Sequence, residues 1–142
     1  MKENINVLII DDNEIDRVIA VSNLRHIFDH INVFESRNGL EALDLLGTAQ
    51  IPILHLILVD INMPIMNGFK FLEMYEALYW QNFPQALVYL ISSSSNPADI
   101  TKAKTFHSLT DFFTKPFNPL RAQNLRQSLF DSLGSKLGSQ NN

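Results

Sequence analysis

The sequence predicts an α/β fold built on a five-stranded parallel sheet with helices on both faces. Two observations carry that reading. Short β-branched runs alternate five times with longer amphipathic stretches, the order expected when crossover helices link parallel strands. Three of the runs, Ile5 to Ile10, Ile53 to Val59 and Ala86 to Ile91, are almost wholly apolar, as strands buried on both faces are.

The elements follow in chain order. The first strand is Ile5 to Ile10, and the stretch Asn13 to Phe28 carries Ile15, Val18, Ile19, Leu24, Ile27 and Phe28 at three- and four-residue steps, a first helix. Asn32 to Glu35 is the second strand. Asn38 with Glu41 three residues later has the form of a capping box, and Leu40, Leu43 and Leu46 follow before Gly47 ends a short second helix. After the third strand, Ile53 to Val59, the residues Phe71, Leu72, Tyr75, Leu78 and Tyr79 fall on one side of a helix opened by Asn67 and Gly68. Core packing is sufficient to explain those aromatics. Ala86 to Ile91 and Asp111 to Thr114 are the last strands. Asn96-Pro97 and Asn118-Pro119 each set a capping residue before a proline suited to the first turn, opening helices that run to about His107 and Leu133. One domain, residues 1–133, is expected, with a polar, aperiodic tail, residues 134–142, expected to be disordered.

Composition narrows the function. Eleven Lys and Arg against fifteen Asp and Glu give a net charge of −4, so no overall cationic field gathers nucleic acid or anionic lipid. Cysteine is absent, which removes disulfides, thiolate metal sites and cysteine nucleophiles together. The polar N-terminus followed by a six-residue apolar run matches neither a signal peptide nor a membrane span. A cytoplasmic protein is expected.

In an open parallel sheet, ligands bind beyond the carboxyl ends of the strands. The first strand ends in Asp11 and Asp12, the third in Asp60, the fourth in Ser92, and the fifth in Lys115 followed by Pro116. A lone Asp at such a place is usually a cap or a turn former. Three together repel one another and raise each other's pKa unless a cation intervenes. All-oxygen donors with few protein ligands suit Mg²⁺, which keeps several waters and favours one or two carboxylates with a phosphate oxygen.

The segments Val7-Leu8-Ile9-Ile10-Asp11-Asp12, Asn38-Gly39-Leu40-Glu41-Ala42-Leu43, Asp60-Ile61-Asn62-Met63-Pro64-Ile65-Met66-Asn67-Gly68 and Lys115-Pro116-Phe117 together resemble the receiver domain of two-component response regulators. The resemblance spans about residues 5–133. It implies a flavodoxin-like (βα)5 sheet in the order 2-1-3-4-5, with Asp60 as phosphoacceptor for a phosphohistidine of a kinase or phosphotransfer protein. Asp12, Asp60 and the backbone carbonyl of Asn62 would hold Mg²⁺ directly, and Asp11 mainly through water. Lys115, after a peptide bond that is cis in the family, and Ser92 would meet the phosphoryl oxygens, a task of positioning and charge neutralisation. Ser94, like Asn62, would tune hydrolysis of the acyl phosphate, which is expected to be slow. Ser93 to Ser95 also read simply as a polar loop.

Phe112 matches the family's switch aromatic and reads equally as a buried strand residue. The implied partners are a kinase or phosphotransfer protein and a downstream protein target, with no direct nucleic-acid or membrane contact. A monomer or weak dimer through the helix 4, strand 5, helix 5 face is expected. The chain stops soon after the fifth helix, which predicts a stand-alone regulator; phosphorelay and chemotaxis-type roles fit it equally. Two departures stand out: the added loop Tyr79 to Pro84, and Asp111 where a small residue is common.

Rival functions fare worse. A haloacid-dehalogenase-type phosphatase needs an acid two residues after its nucleophile, and that residue is Asn62. A flavin binder of the same fold needs phosphate donors where Asp11, Asp12 and Glu14 stand. The five glycines fit no Walker or dinucleotide motif. An unphosphorylated interaction module of receiver fold is the remaining alternative. His26 and His30 are one helical turn apart but lack a third metal ligand, and are read as surface residues.

Overall fold

A computed structural model describes residues 4–140 of the chain. Among these, five strands form one parallel sheet: β1 (Ile5–Ile10), β2 (Ile31–Ser36), β3 (Leu56–Asp60), β4 (Leu87–Ser92) and β5 (Asp111–Thr114). They lie in the order β2-β1-β3-β4-β5, as expected from the sequence. The helices are α1 (Glu14–Ile27), α2 (Gly39–Leu46), α3 (Gly68–Leu78), α4 (Pro97–Ala103) and α5 (Pro119–Gln140), with a single 3-10 turn at Trp80–Asn82.

Alternation along the strands divides the core. Leu8 and Ile10 of β1, Ile57 and Val59 of β3, and Val88 and Leu90 of β4 pack with α2 and α3. Ile9, Leu58, Tyr89 and Ile91 turn to the opposite face, under α1 and α5. Both faces are covered, so these strands carry little but apolar residues.

The caps predicted at Asn38, Asn96 and Asn118 form, and Asn13 and Asn67 cap α1 and α3 in the same way. Asn13, Asn38, Asn67, Asn96 and Asn118 accept from the backbone N–H of Asp16, Glu41, Lys70, Ala98 and Arg121 at 2.9–3.0 Å, and each fixes where a helix leaves the sheet edge.

Four boundaries differ from expectation by more than one residue. β3 starts at Leu56 rather than Ile53, because the backbone before it is taken up singly: Asn6 Nδ2 donates to the Ile53 carbonyl at 2.6 Å, and the His55 N–H to the Asn6 carbonyl at 3.0 Å. α4 ends at Ala103 rather than near His107, closing in three-residue turns from Thr105 to Lys102 and from Phe106 to Ala103. That turn brings Phe106 onto the Phe69 ring, centroids 6.0 Å apart. His30 lies beyond α1, not on it. α5 continues to Gln140, past the end expected near Leu133. Extending an existing helix adds one hydrogen bond per residue fixed, which offsets the weak helix preference of Gly134 and Gly138. Asn141 and Asn142 of the expected tail lie outside the described residues. No described helix is long and apolar enough to cross a membrane.

Candidate functional site

The carboxyl ends of β1, β3 and β5 bring Asp11, Asp12, Asp60 and Lys115 together. Carboxylate oxygens of the three aspartates lie within 4.8 Å of one another, Asp11 and Asp60 buried and Asp12 exposed. Lys115 reaches in from the end of β5. Its Nζ is 3.0 Å from Asp11 Oδ2 and 3.6 Å from Asp60 Oδ2, and the Lys115–Pro116 peptide bond is cis.

Burial and the fields of Asp11 and Asp12 push the Asp60 carboxyl from 3.8 up to about 6, against the opposing pull of Lys115 and a hydrogen bond from the Asn62 backbone. Burial lowers the Lys115 ammonium's pKa, but hydrogen bonds to Asp16 and Asp11 and the field of Asp60 outweigh it and raise it overall. The ammonium is therefore charged at any working pH. Three clustered oxygen donors, one of them held back from ionising by burial and by its neighbours, make a donor set that a hard divalent cation fits.

The loop after Asp60 is clamped against the sheet. Gly68 N–H donates to the Ile61 carbonyl at 2.9 Å and Gly39 N–H to the Met66 carbonyl at 3.0 Å. A Cβ at Gly68 would collide with the Asp60 carbonyl oxygen and stand 3.0 Å from Ile61 Cα, so only glycine permits this approach. Within the loop Ile65 has φ 67°, a left-handed conformation that costs a β-branched residue about 1–2 kcal/mol. Ile65 is also 79% exposed.

Ser92 closes the fourth corner. It is fully buried at the end of β4, beside Thr114 in register, and its Oγ accepts from the Ser94 N–H at 3.1 Å. A hydroxyl that accepts retains its proton for donation. Ser93 to Ser95 are exposed. Phe112, opposite Leu90, is half-buried and packs on the α3 side of the sheet, where it lines a groove with Lys104, Phe106 and Arg121. Its neighbour Phe113 is the buried aromatic, stacked on Tyr89 at 4.9 Å. His26 and His30 are exposed, and neither joins a metal-ligating group among the described residues.

Sequence reasoning missed two residues. Asp16 Oδ2, in the first turn of α1, makes the shortest contact to Lys115 Nζ, 2.7 Å. Arg17 Nη1 donates to the Asp11 carbonyl at 2.7 Å while its Nε pairs with Glu35 at 3.1 Å, which fixes the turn carrying the acidic pair. The available signal was position: Asp16 stands one helical turn beyond Asp12.

A family model described as the response regulator receiver domain matches residues 7–128. The chain belongs to the response regulator receiver family. Receiver domains are phosphoacceptor signalling modules that bind Mg²⁺ at an acidic pocket, and this chain has an acidic cluster of Asp11, Asp12 and Asp60. Among relatives, a chemotaxis protein CheY homolog of Campylobacter jejuni is 27% identical over 132 residues, covering 93% of this chain and 95% of that protein. The sensor histidine kinase CheAY of Helicobacter pylori is 35% identical over 115 residues, 79% of this chain but 13% of that protein. Among solved structures, a two-component response regulator from Cytophaga hutchinsonii superposes with a TM-score of 0.81 at 25% identity, covering 92% of this receiver and 99% of that chain. Chemotaxis response regulator CheY4 of Vibrio cholerae, at 24% identity over 89% of this receiver and 99% of that chain, shares the fold with a TM-score of 0.73.

Proposed function

We propose that this receiver takes a phosphoryl group onto Asp60 from a phosphohistidine of a kinase or phosphotransfer protein, with Mg²⁺ bound, and passes the signal to a protein partner by a conformational switch. The observation that carries the proposal is the Lys115 ammonium set within 3.6 Å of the buried Asp60 carboxylate, in the same pocket as Asp11 and Asp12.

Asp60 Oδ attacks phosphorus as the histidine N–P bond breaks, leaving an acyl phosphate and a free imidazole. Asp12, Asp60 and the Asn62 carbonyl would hold Mg²⁺, with Asp11 acting through water, and the ion would supply positive charge to the phosphoryl oxygens. Lys115 supplies more. Ser92 turns its proton to a phosphoryl oxygen, and Phe112 follows it inward, altering the face of α4, β5 and α5. Ser94 and Asn62 flank the acyl phosphate and set its lifetime.

Exposed apolar side chains at this sheet edge support a protein as phosphodonor. Ile15, Val18, Ile19 and Leu120 face solvent on the first turns of α1 and α5, and Ile65 on the loop after β3. Such a patch marks a protein-binding surface.

Incubation with acetyl phosphate and Mg²⁺ followed by intact-mass measurement should add one phosphoryl group, lost in Asp60→Asn. Labelling that survives in the variant would overturn the assignment, and an unlabelled wild type would favour an interaction module that is not phosphorylated.

A further inference from the structure

Asp16 is a fourth carboxylate in the pocket, and it is not one of the three grouped oxygen donors. Its backbone N–H is tied to Asn13 Oδ1 at 3.0 Å in the first turn of α1, so the side chain is presented from a fixed helix start. The side chain is 33% exposed and pairs with a lysine only 17% exposed. Lys115 Nζ lies 2.7 Å from Asp16, 3.0 Å from Asp11 and 3.6 Å from Asp60. The first two are hydrogen-bonding distances and the third is not. In the unphosphorylated protein the ammonium is therefore engaged by Asp16 and Asp11 rather than by the phosphoacceptor.

We propose that Asp16 is a positioning residue that holds the Lys115 ammonium away from the phosphoryl position, so that a phosphoryl group on Asp60 must compete with Asp16 for it. The inference rests on the phosphoacceptor reading of Asp60. An interaction made more strongly in the empty state than in the occupied one lowers affinity for the occupant by the difference. Asp16 has a second effect of the same sign. It leaves the pocket one negative charge beyond what a divalent cation and one ammonium neutralise, and an incoming phosphoryl group is itself anionic. An aliphatic side chain at this position would impose neither cost.

Beryllofluoride, a non-reactive stand-in for the phosphoryl group, isolates this term from the chemistry. Calorimetric titration at fixed, saturating Mg²⁺ should show Asp16→Asn and Asp16→Leu binding it about fivefold more tightly than wild type, with Asp16→Glu returning toward wild type. The gain should shrink when Lys115→Ala is combined with Asp16→Asn, leaving only the part due to the removed negative charge, a dependence that a purely structural role for Asp16 would not produce. Unchanged or weaker binding in both uncharged variants, or a gain undiminished without Lys115, overturns the proposal. A wild type labelled at Asp60 beside an unmoved Asp16→Asn refutes the role of Asp16 alone. A wild type that takes neither beryllofluoride nor label refutes the phosphoacceptor reading and this inference with it.

Discussion

Replacing Asp60 by Asn should stabilise the protein in the absence of divalent metal, although it removes the residue on which the proposed function depends. Burial and the neighbouring carboxylates raise the Asp60 carboxyl from 3.8 to about 6. At 1.36 kcal/mol per unit, that is about 3 kcal/mol by which the ionised form is disfavoured in the folded state; solvent reaching the pocket through its open mouth reduces the figure to about 2 kcal/mol. The sign follows from proton binding. Below about pH 4 folded and unfolded chains both hold the proton, and Asp60 costs nothing. Between about pH 4 and 6 the unfolded chain has released its proton while the folded one still holds it, so wild-type stability falls as pH rises. Above about pH 6 the penalty is complete. Asn never ionises and keeps an oxygen to accept from the Asn62 N–H. Thermal unfolding in EDTA should therefore place Asp60→Asn about 6 °C above wild type at pH 7.5, at about 3 °C per kcal/mol for a chain of this size, with the gap shrinking to about a third at pH 4.5. A variant no more stable than wild type at pH 7.5, or a gap indifferent to pH, would refute the electrostatic account of the pocket.

Three further outcomes are expected. Mg²⁺ should raise the wild-type melting temperature, by about 2.7 kcal/mol of added stability at 100 times its dissociation constant; the response should be lost in Asp12→Ala and should weaken as pH falls below about 6, where protons compete for Asp60. Beryllofluoride should alter amide exchange across residues 92–126 far more than in α1 and α2, and a change confined to the loop after Asp60 would exclude a switch through Ser92 and Phe112. Trp80 emission should stay nearly flat through a Mg²⁺ titration, because the eleven residues of α3 carry the chain about 16 Å from the sheet edge where Asn67 begins it; quenching at the midpoint of the thermal shift would contradict that placement.

The sheet and the main acidic cluster were legible in the sequence for a geometric reason. Parallel strands place their carboxyl ends along one edge, so Asp11, Asp12, Asp60, Ser92 and Lys115 can be assigned to one place from strand positions alone. What was illegible depends on facing, not order. The apolar stripe of α1 reads as one surface, yet Ala20, Leu24 and Phe28 are buried while Ile15 and Val18 are 69% and 60% exposed. At 100° per residue Ile15 and Val18 stand on the side of α1 away from Ala20 and Leu24, and a stripe this wide does not show which part of it meets the sheet. Asp16 was hidden differently. An acid in the first turn of a helix is sufficiently explained by the helix dipole, and nothing local announces a partner 99 residues away.

The same residues show why the pocket is a costly part of an otherwise consistent design. Most strand positions facing either core are apolar and each of the five α-helices starts at an Asn cap, so local preference and global fold agree through most of the chain. At the sheet edge they conflict: Asp60 is buried beside Asp11 and near Asp12, and the β3–α3 loop holds Ile65 at a φ that glycine would adopt more readily. Such conflicts concentrate where a ligand is to be bound, because a pocket neutralised by its own residues would have no use for a cation or a phosphoryl group. Lys115 is the partial neutraliser, and the Asp16 carboxylate competes for it. With both Asp11 and Asp16 at hydrogen-bonding distance from the ammonium, the empty pocket is less frustrated than its three clustered carboxylates alone would make it, and part of that relief would be given up on binding the proposed phosphoryl group. Asp16 thus acts on the difference between the empty and the occupied state, the quantity that sets how readily the receiver is switched.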